Sequence, residues 1–247
     1  VSLPSASAPD LERISGRAWR AAEEGMLGAW RLNASLGRSG RINSCWPLGD
    51  PGVGVDDAIL AVEGWYRARD LPTVFKLADG ATFPEDLGLR LTALGYRPDT
   101  ETIVMIGPVV GEREGEVALS DYPDACFESV FVGAGPGGDD ARERLEALAR
   151  TPSPRAFACI FRAGAPAAIG ACATEAPWTG VFAMRTLPDH RRKGLARRLL
   201  AALLAAAREA GALTAWLQVE AANHGALRLY EGMGFAPAYR YLYWRRP

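Results

Sequence analysis

Five cations, Arg191, Arg192, Lys193, Arg197 and Arg198, crowd into residues 191–198, just where a long apolar segment, 195–210, must begin a helix. The first turn of a helix carries about half a positive charge on its unpaired N–H groups and prefers Asp or Glu. Loading Lys and Arg onto that end costs energy unless an anion is held there. Gly194 lets the chain pass close to a ligand, so the loop reads as a cradle for a polyphosphate. It is not a Walker loop, because no Gly-Lys-Ser/Thr closes it. Nor is it a dinucleotide fingerprint, which needs three glycines.

The patch is local. Over 247 residues the net charge is −1, which argues against a nucleic-acid surface, since a binder of the phosphate backbone needs a broad excess of Lys and Arg. Apolar and charged contents of 49% and 23% are those of an ordinary globular protein. The length suits one large domain or two of roughly 120 residues. Cys45, Cys126, Cys159 and Cys172 form no C-x-x-C pair, so neither a zinc site nor a disulfide framework is expected, and reduced thiols point to the cytoplasm. Residues 1–15 lack a cationic start followed by an apolar run, and the longest apolar run, 199–207, is too short to span a bilayer, so no membrane partner is expected. His190 and His224 are expected in loop or cap positions.

Along the chain, hydrophobic periodicity predicts a helix over 9–26 with Asp10 as cap, and strands over 29–35 and 41–47. A helix follows over 55–69 with Asp56 and Asp57 in its first turn, then a strand over 73–77, a helix over 84–94 and a strand over 102–107. A polar connector, 111–115, suggests a boundary. Beyond it the order repeats, with a strand over 117–119, helical residues 123–132 and a glycine-rich mobile loop over 133–140. Asp139 or Asp140 would cap the helix after it, which ends near Arg150. Strands follow over 156–162, 167–175 and 180–186, then the helix 195–210, a strand over 213–219, a helix over 225–233 and a strand over 239–244. Leu94-Gly95-Tyr96 occupies the place of Met233-Gly234-Phe235 in the second half. The chain therefore reads as two α/β units, 1–112 and 113–247. The first has Asp56 and Asp57 at its helix start instead of cations and should not bind phosphate.

Arg191-x-x-Gly194-x-Ala196 follows the step Thr186-Leu187-Pro188, and Asn223 and then Leu229-Tyr230-x-x-x-Gly234-Phe235 come about thirty residues later. This pattern resembles the Gcn5-related N-acetyltransferase (GNAT) family, strongly over 155–247 and weakly in the first half. The resemblance implies an α/β (α+β) fold, a mixed, splayed sheet flanked by helices, here in two tandem copies of which the first is degenerate. It also implies a cleft for acetyl-coenzyme A between two parallel strands. Arg191, Arg192, Lys193, Gly194, Leu195, Ala196 and Arg197 would hold the pyrophosphate. Met184, Arg185 and Thr186 would offer backbone groups to the pantetheine arm, and Asn223 would hydrogen-bond it. The Tyr230 hydroxyl would stand beside the thioester sulfur as general acid. These roles suit the chemistry: a diphosphate wants amides at a helix end, an extended arm a free strand edge, and a departing thiolate a nearby proton.

The implied reaction moves an acetyl group to a primary amine of a small molecule or peptide. Some relatives carry a glutamate base on the strand after the long helix; here that position is Gln218, which cannot serve. Glu220 and Glu175 are the remaining candidates. Trp46, Trp65, Tyr66 and Trp178 are aromatic enough to wall the acceptor pocket, and the first half would brace the second. The alternative is a non-catalytic acyl-CoA-binding sensor or scaffold module, which Gln218 keeps open. The protein would act as a monomer or homodimer.

Overall fold

The structure, a computed structural model, describes residues 6–112 and 115–247. The leader reading of residues 1–15 and the boundary between 112 and 113 both touch residues outside that range. Helix α1 (Ala8–Ala18) begins where Ser7 Oγ accepts a hydrogen bond from the Asp10 amide, so Ser7 is the cap and not Asp10. It stops well short of residue 26. Residues 23–27 instead form strand β1 (Glu23–Leu27), which pairs antiparallel with β2 (Trp30–Ala34) around Gly28, whose φ of 53° suits glycine. Only Cys45–Pro47 of the expected 41–47 strand is extended, as β3. Nearby amides are committed elsewhere: Ser35 and Gly37 donate to Asn43 Oδ1, and Ser39 donates to Glu143 Oε2, so residues 40–42 close as a 3₁₀ turn.

Helix α2 (Val55–Arg67) starts with Asp56 and Asp57 as expected, and β4 (Val74–Ala78), α3 (Leu87–Ala93) and β5 (Arg97–Pro108) complete the first half. Then come β6 (Val117–Ser120), α4 (Ala125–Gly133) capped by Asp124, and α5 (Gly138–Ala149). Gly137 occupies the cap position of α5, with Asp139 and Asp140 inside its first turn rather than capping it. Strands β7 (Arg155–Arg162), β8 (Ala165–Glu175) and β9 (Trp178–Thr186) form a meander ahead of α6 (Leu195–Glu209). The chain closes with β10 (Thr214–Glu220), α7 (His224–Glu231) and β11 (Ala236–Arg245).

All strands belong to one 11-stranded sheet in the order β1-β2-β3-β4-β11-β5-β10-β9-β8-β7-β6. The last strand of each half crosses over. β5 pairs with β10, and β11 lies between β4 and β5, antiparallel to both. The sheet is therefore mixed and continuous. Leu199, Leu200, Leu203 and Leu204 of α6 are buried with Ala158, Ile160 and Ala168 of the sheet. At about 1.5–3 kcal/mol for each fully buried leucine, this contact anchors the helix. The outer side of α6 is covered too, because Gly111 lies so close to the Ala201 backbone that a side chain there would collide.

One irregularity shapes the site. Strands β9 and β10 run parallel and pair only from Trp178/Thr214 to Val181/Leu217. Beyond that point β9 bulges against β8 between the Ile169/Arg185 and Ala171/Phe182 pairs, with Ala183 at a φ of 55°. A bulge increases local twist, so the two strands part and leave an unpaired edge along 182–186.

Candidate active site

Two cavities meet where β9 and β10 separate. The first, about 470 Å³, is lined by Met184 and Thr186 of β9, residues 190–192 and 194–197 at the start of α6, and Asn223, Arg228 and Tyr230 on and before α7. Gly194 stands at the N-cap of α6 with a φ of 76°, and no side chain caps the helix. Arg191, Arg192, Arg197 and Arg228 line this cleft, and no carboxylate does among the described residues. The charge cluster is smaller than its sequence suggests. Arg198 leaves the cleft to pair with Glu116 at 2.8 Å, and Lys193 Nζ donates to the Asp189 carbonyl at 2.9 Å without lining the cavity. Arg197 Nη1 donates to the Gly232 carbonyl at 3.2 Å, which ties α6 to the end of α7. Free amides at a helix start, a left-handed glycine and unmatched guanidiniums are a donor set for a diphosphate, and the bare β9 edge suits an extended arm carrying amides.

The second cavity, about 590 Å³, shares Met184, Asn223, Ala226 and Tyr230 with the first. Its other walls come from distant parts of the chain: residues 38–41, Thr100 and Thr102, residues 134–136, Arg144, Gln218 and Glu220, and Tyr241, Tyr243 and Arg245. Side-chain alternation sorts β9 between the two spaces, with Thr186 facing the first and Arg185 the second.

Tyr230 lies at the junction, 7% exposed, its ring tilted against Phe235. Burial pushes its phenol up to about 12, so it keeps its proton at neutral pH. Asn223 caps α7, accepting from the Ala226 amide at 3.1 Å, and still borders both cavities. Glu220 stands at the exposed end of β10 and lines the second cavity. Glu175 does not belong to the site. It sits at the turn of the β8–β9 hairpin, opposite Trp178 and at the far end of β9 from Arg185, where Arg17 clamps it at 2.7 and 2.8 Å and holds its carboxyl below the usual range.

Gln218 Oε1 accepts from the Tyr241 hydroxyl at 3.0 Å. Burial raises the Tyr241 phenol, but Arg41 and Lys76 outweigh it and bring the phenol below its ordinary value. Beneath lies a buried pair, Lys76 and Glu12, at 2.5 Å, with Tyr239 donating to the same carboxylate at 2.7 Å. Trp46, Trp65, Tyr66 and Trp178 line neither cavity: Trp46 and Tyr66 are fully buried in the core, and Trp65 lies beneath Arg69. The aromatic walls are Phe182, Tyr230, Tyr241 and Tyr243. Arg228 was legible in principle as a cation two residues before Tyr230 on the same short helix. Arg38, Arg41 and the β11 tyrosines carried no local signal.

A sheet that splays beside an uncapped, cationic helix start defines a GNAT-type N-acetyltransferase, an acyltransferase class whose members use acetyl-coenzyme A as cosubstrate. More narrowly, residues 6–244 match the family described as "Probable histone acetyltransferase Rv0428c C-terminal", and the chain belongs to that family. The uncharacterized N-acetyltransferase YobR of Bacillus subtilis is 24% identical over 237 residues, covering 92% of this chain and 94% of that one. The fold matches a GCN5-related N-acetyltransferase from Kribbella flavida with a TM-score of 0.70 at 21% identity, over 96% and 95% of the two chains. It also matches a tandem GNAT protein from the clavulanic acid biosynthesis pathway with a TM-score of 0.63 at 15% identity, over 98% and 89%. Among the described residues no helix is long and apolar enough to cross a membrane, and no cluster of His, Cys, Asp and Glu could hold a metal ion.

Proposed function

We propose that the chain transfers an acetyl group from acetyl-coenzyme A to a primary amine, with the first cavity holding the cosubstrate and the second the acceptor. The observation that carries this reading is that the two spaces meet at Tyr230, one of them cationic and free of carboxylates. When bound, acetyl-coenzyme A supplies the thioester acetyl group. Arg191, Arg192, Arg197 and Arg228, with the α6 amides, would bind its phosphates, and the 182–186 edge and Asn223 would orient its arm. Tyr230, kept protonated by burial, would donate a proton to the leaving sulfur.

The acceptor must be neutral to attack, whereas an alkyl amine near pKa 10 is mostly protonated at neutral pH. Glu220 is the carboxylate that lines the acceptor cavity and would take that proton, directly or through water. We further propose that residues 1–112 act as a scaffold for 113–247, since residues 38–41 wall the acceptor side. Four cysteines without a disulfide fit a reducing, cytoplasmic setting.

Calorimetry with coenzyme A and thiol release from acetyl-coenzyme A across an amine panel test the proposal together. Saturable coenzyme A binding with amine-dependent thiol release is expected. Neither heat nor a thermal shift with coenzyme A would overturn it.

A further inference from the structure

The charge of the acceptor cavity is unusual for a site that receives a protonated amine. Arg38, Arg41, Arg144, Arg185 and Arg245 line it, against Glu220 as its carboxylate. Three of the five arginines are matched within the fold: Arg38 by Asp139 at 3.2 Å, Arg144 by Asp140 at 3.0 Å and Arg245 by Asp99 at 3.4 Å. The other two are not. Arg41 and Arg185 form no ion pair with any described carboxylate, and Glu12, the carboxylate whose charge reaches Arg41, is already bound by Lys76 and Tyr239.

Both guanidiniums are held in place. The Arg41 guanidinium carbon lies 5.4 Å from the Trp19 ring centroid, and its Nε is buried with no hydrogen-bond partner. The phenols beside it are Tyr241 and Tyr243, of which Tyr241 donates to Gln218, and neither is a carboxylate. Arg185 lies 3.5 Å from the Phe131 ring centroid and donates to the Phe131 carbonyl, and Gly135 packs so close that a side chain there would strike the guanidinium. A partly desolvated charge without a carboxylate partner is costly, and at neutral pH arginine keeps its proton. Two such groups fixed on the wall of a ligand-sized cavity call for an anion.

We propose that the acceptor amine is itself anionic, carrying a carboxylate or phosphate that Arg41 and Arg185 bind while its amine lies toward Glu220 and Tyr230. The inference rests on the N-acetyltransferase reading and narrows it to small amino acids or phosphorylated amines. A polyamine, an aminoglycoside or a lysine-rich tail would set further cations beside these guanidiniums. The chemistry balances: the thioester C–S bond breaks, a C–N bond forms, the nitrogen loses one proton and the sulfur gains one.

Matched amines test it on the full chain by thiol release. Amino acids are compared with their amides, O-phosphoethanolamine with ethanolamine, and spermidine and a lysine-rich peptide serve as cationic acceptors. The anionic member of a pair should be used at least ~10-fold better in kcat/KM, and which pair shows the larger ratio separates carboxylate from phosphate. In Arg41→Met and Arg185→Met that ratio should fall toward one through KM, with a parent-like far-UV circular dichroism spectrum and a cooperative melting transition as the check of folding. Arg41→Lys, which keeps charge but loses the planar fork, should give an intermediate ratio. Turnover of spermidine or the peptide but not the anionic amines overturns the inference alone, as does a ratio unmoved by both substitutions. Coenzyme A binding with no turnover of any amine overturns the transferase reading and this inference with it.

Discussion

Removing the Glu143 carboxylate should loosen the acceptor wall and destabilise the whole molecule. Glu143 of α5 is fully buried, and its oxygens accept hydrogen bonds from the amides of Leu36 at 2.6 Å, Arg38 at 3.2 Å and Ser39 at 2.5 Å, and from Asn43 Nδ2 at 2.8 Å. These donors belong to the loop that places Arg38 and Arg41 in the cavity, so one side chain of the second half fixes a loop of the first. A hydrogen bond to a charged group is worth ~1.5–3 kcal/mol, and an abandoned buried donor costs about 1–3 kcal/mol. The bonds share one carboxylate and are not additive, so Glu143→Ala should cost about 3–5 kcal/mol in total. At roughly 2–4 °C per kcal/mol for a chain of this size, Tm should fall by about 10 °C. Calorimetric melting measures the first effect, and the second is a raised KM for the acceptor with coenzyme A affinity intact. A melting point within 2 °C of the parent, well inside the margin of the ~10 °C expectation, would refute the reasoning. Glu143→Gln, which keeps the volume and one oxygen, should fall between the two.

Other expectations follow from single groups. Tyr230→Phe should lower kcat by about 10²-fold or more with coenzyme A affinity retained, and unchanged turnover at saturating cosubstrate would remove the phenol from the proton path. Glu175→Gln should leave kcat within about twofold, because the carboxylate lies outside both cavities; its pair with Arg17 is about half exposed and contributes under ~1 kcal/mol. That small contribution is present above the carboxylate's unfolded pKa and fades as pH falls through its lowered folded value. At pH 8 iodoacetamide should modify the half-buried Cys126 and spare Cys45, Cys159 and Cys172, whose thiols burial pushes up, the latter two to about 12. Mass spectrometry after a timed quench reads this, and alkylation of all four before unfolding would contradict the burial.

The cationic cleft at the start of α6 was legible in the sequence because its signal is local. A glycine, several cations and an apolar helix within one short stretch carry a charge conflict that a residue-by-residue reading detects. The elements that failed were those set by partners far along the chain. Residues 19–27 have enough alanine and glutamate to pass for helix, yet pairing with β2 makes 23–27 a strand; tertiary contact overrode propensity. The β5 and β11 strands were read, but no periodicity reveals that each pairs across the halves, because register is a property of two segments. The acceptor wall inherits this limit. Since β11 sits next to β4 and β5, Tyr241 and Tyr243 of the last strand come to face the 38–41 loop of the first half. Crossing the strands therefore does more than join the two halves of the chain into one sheet. It builds the second cavity from both, so on the proposed function a change confined to residues 38–41 should alter which amine is used while leaving the cationic cleft, made wholly from residues 184–230, unaffected.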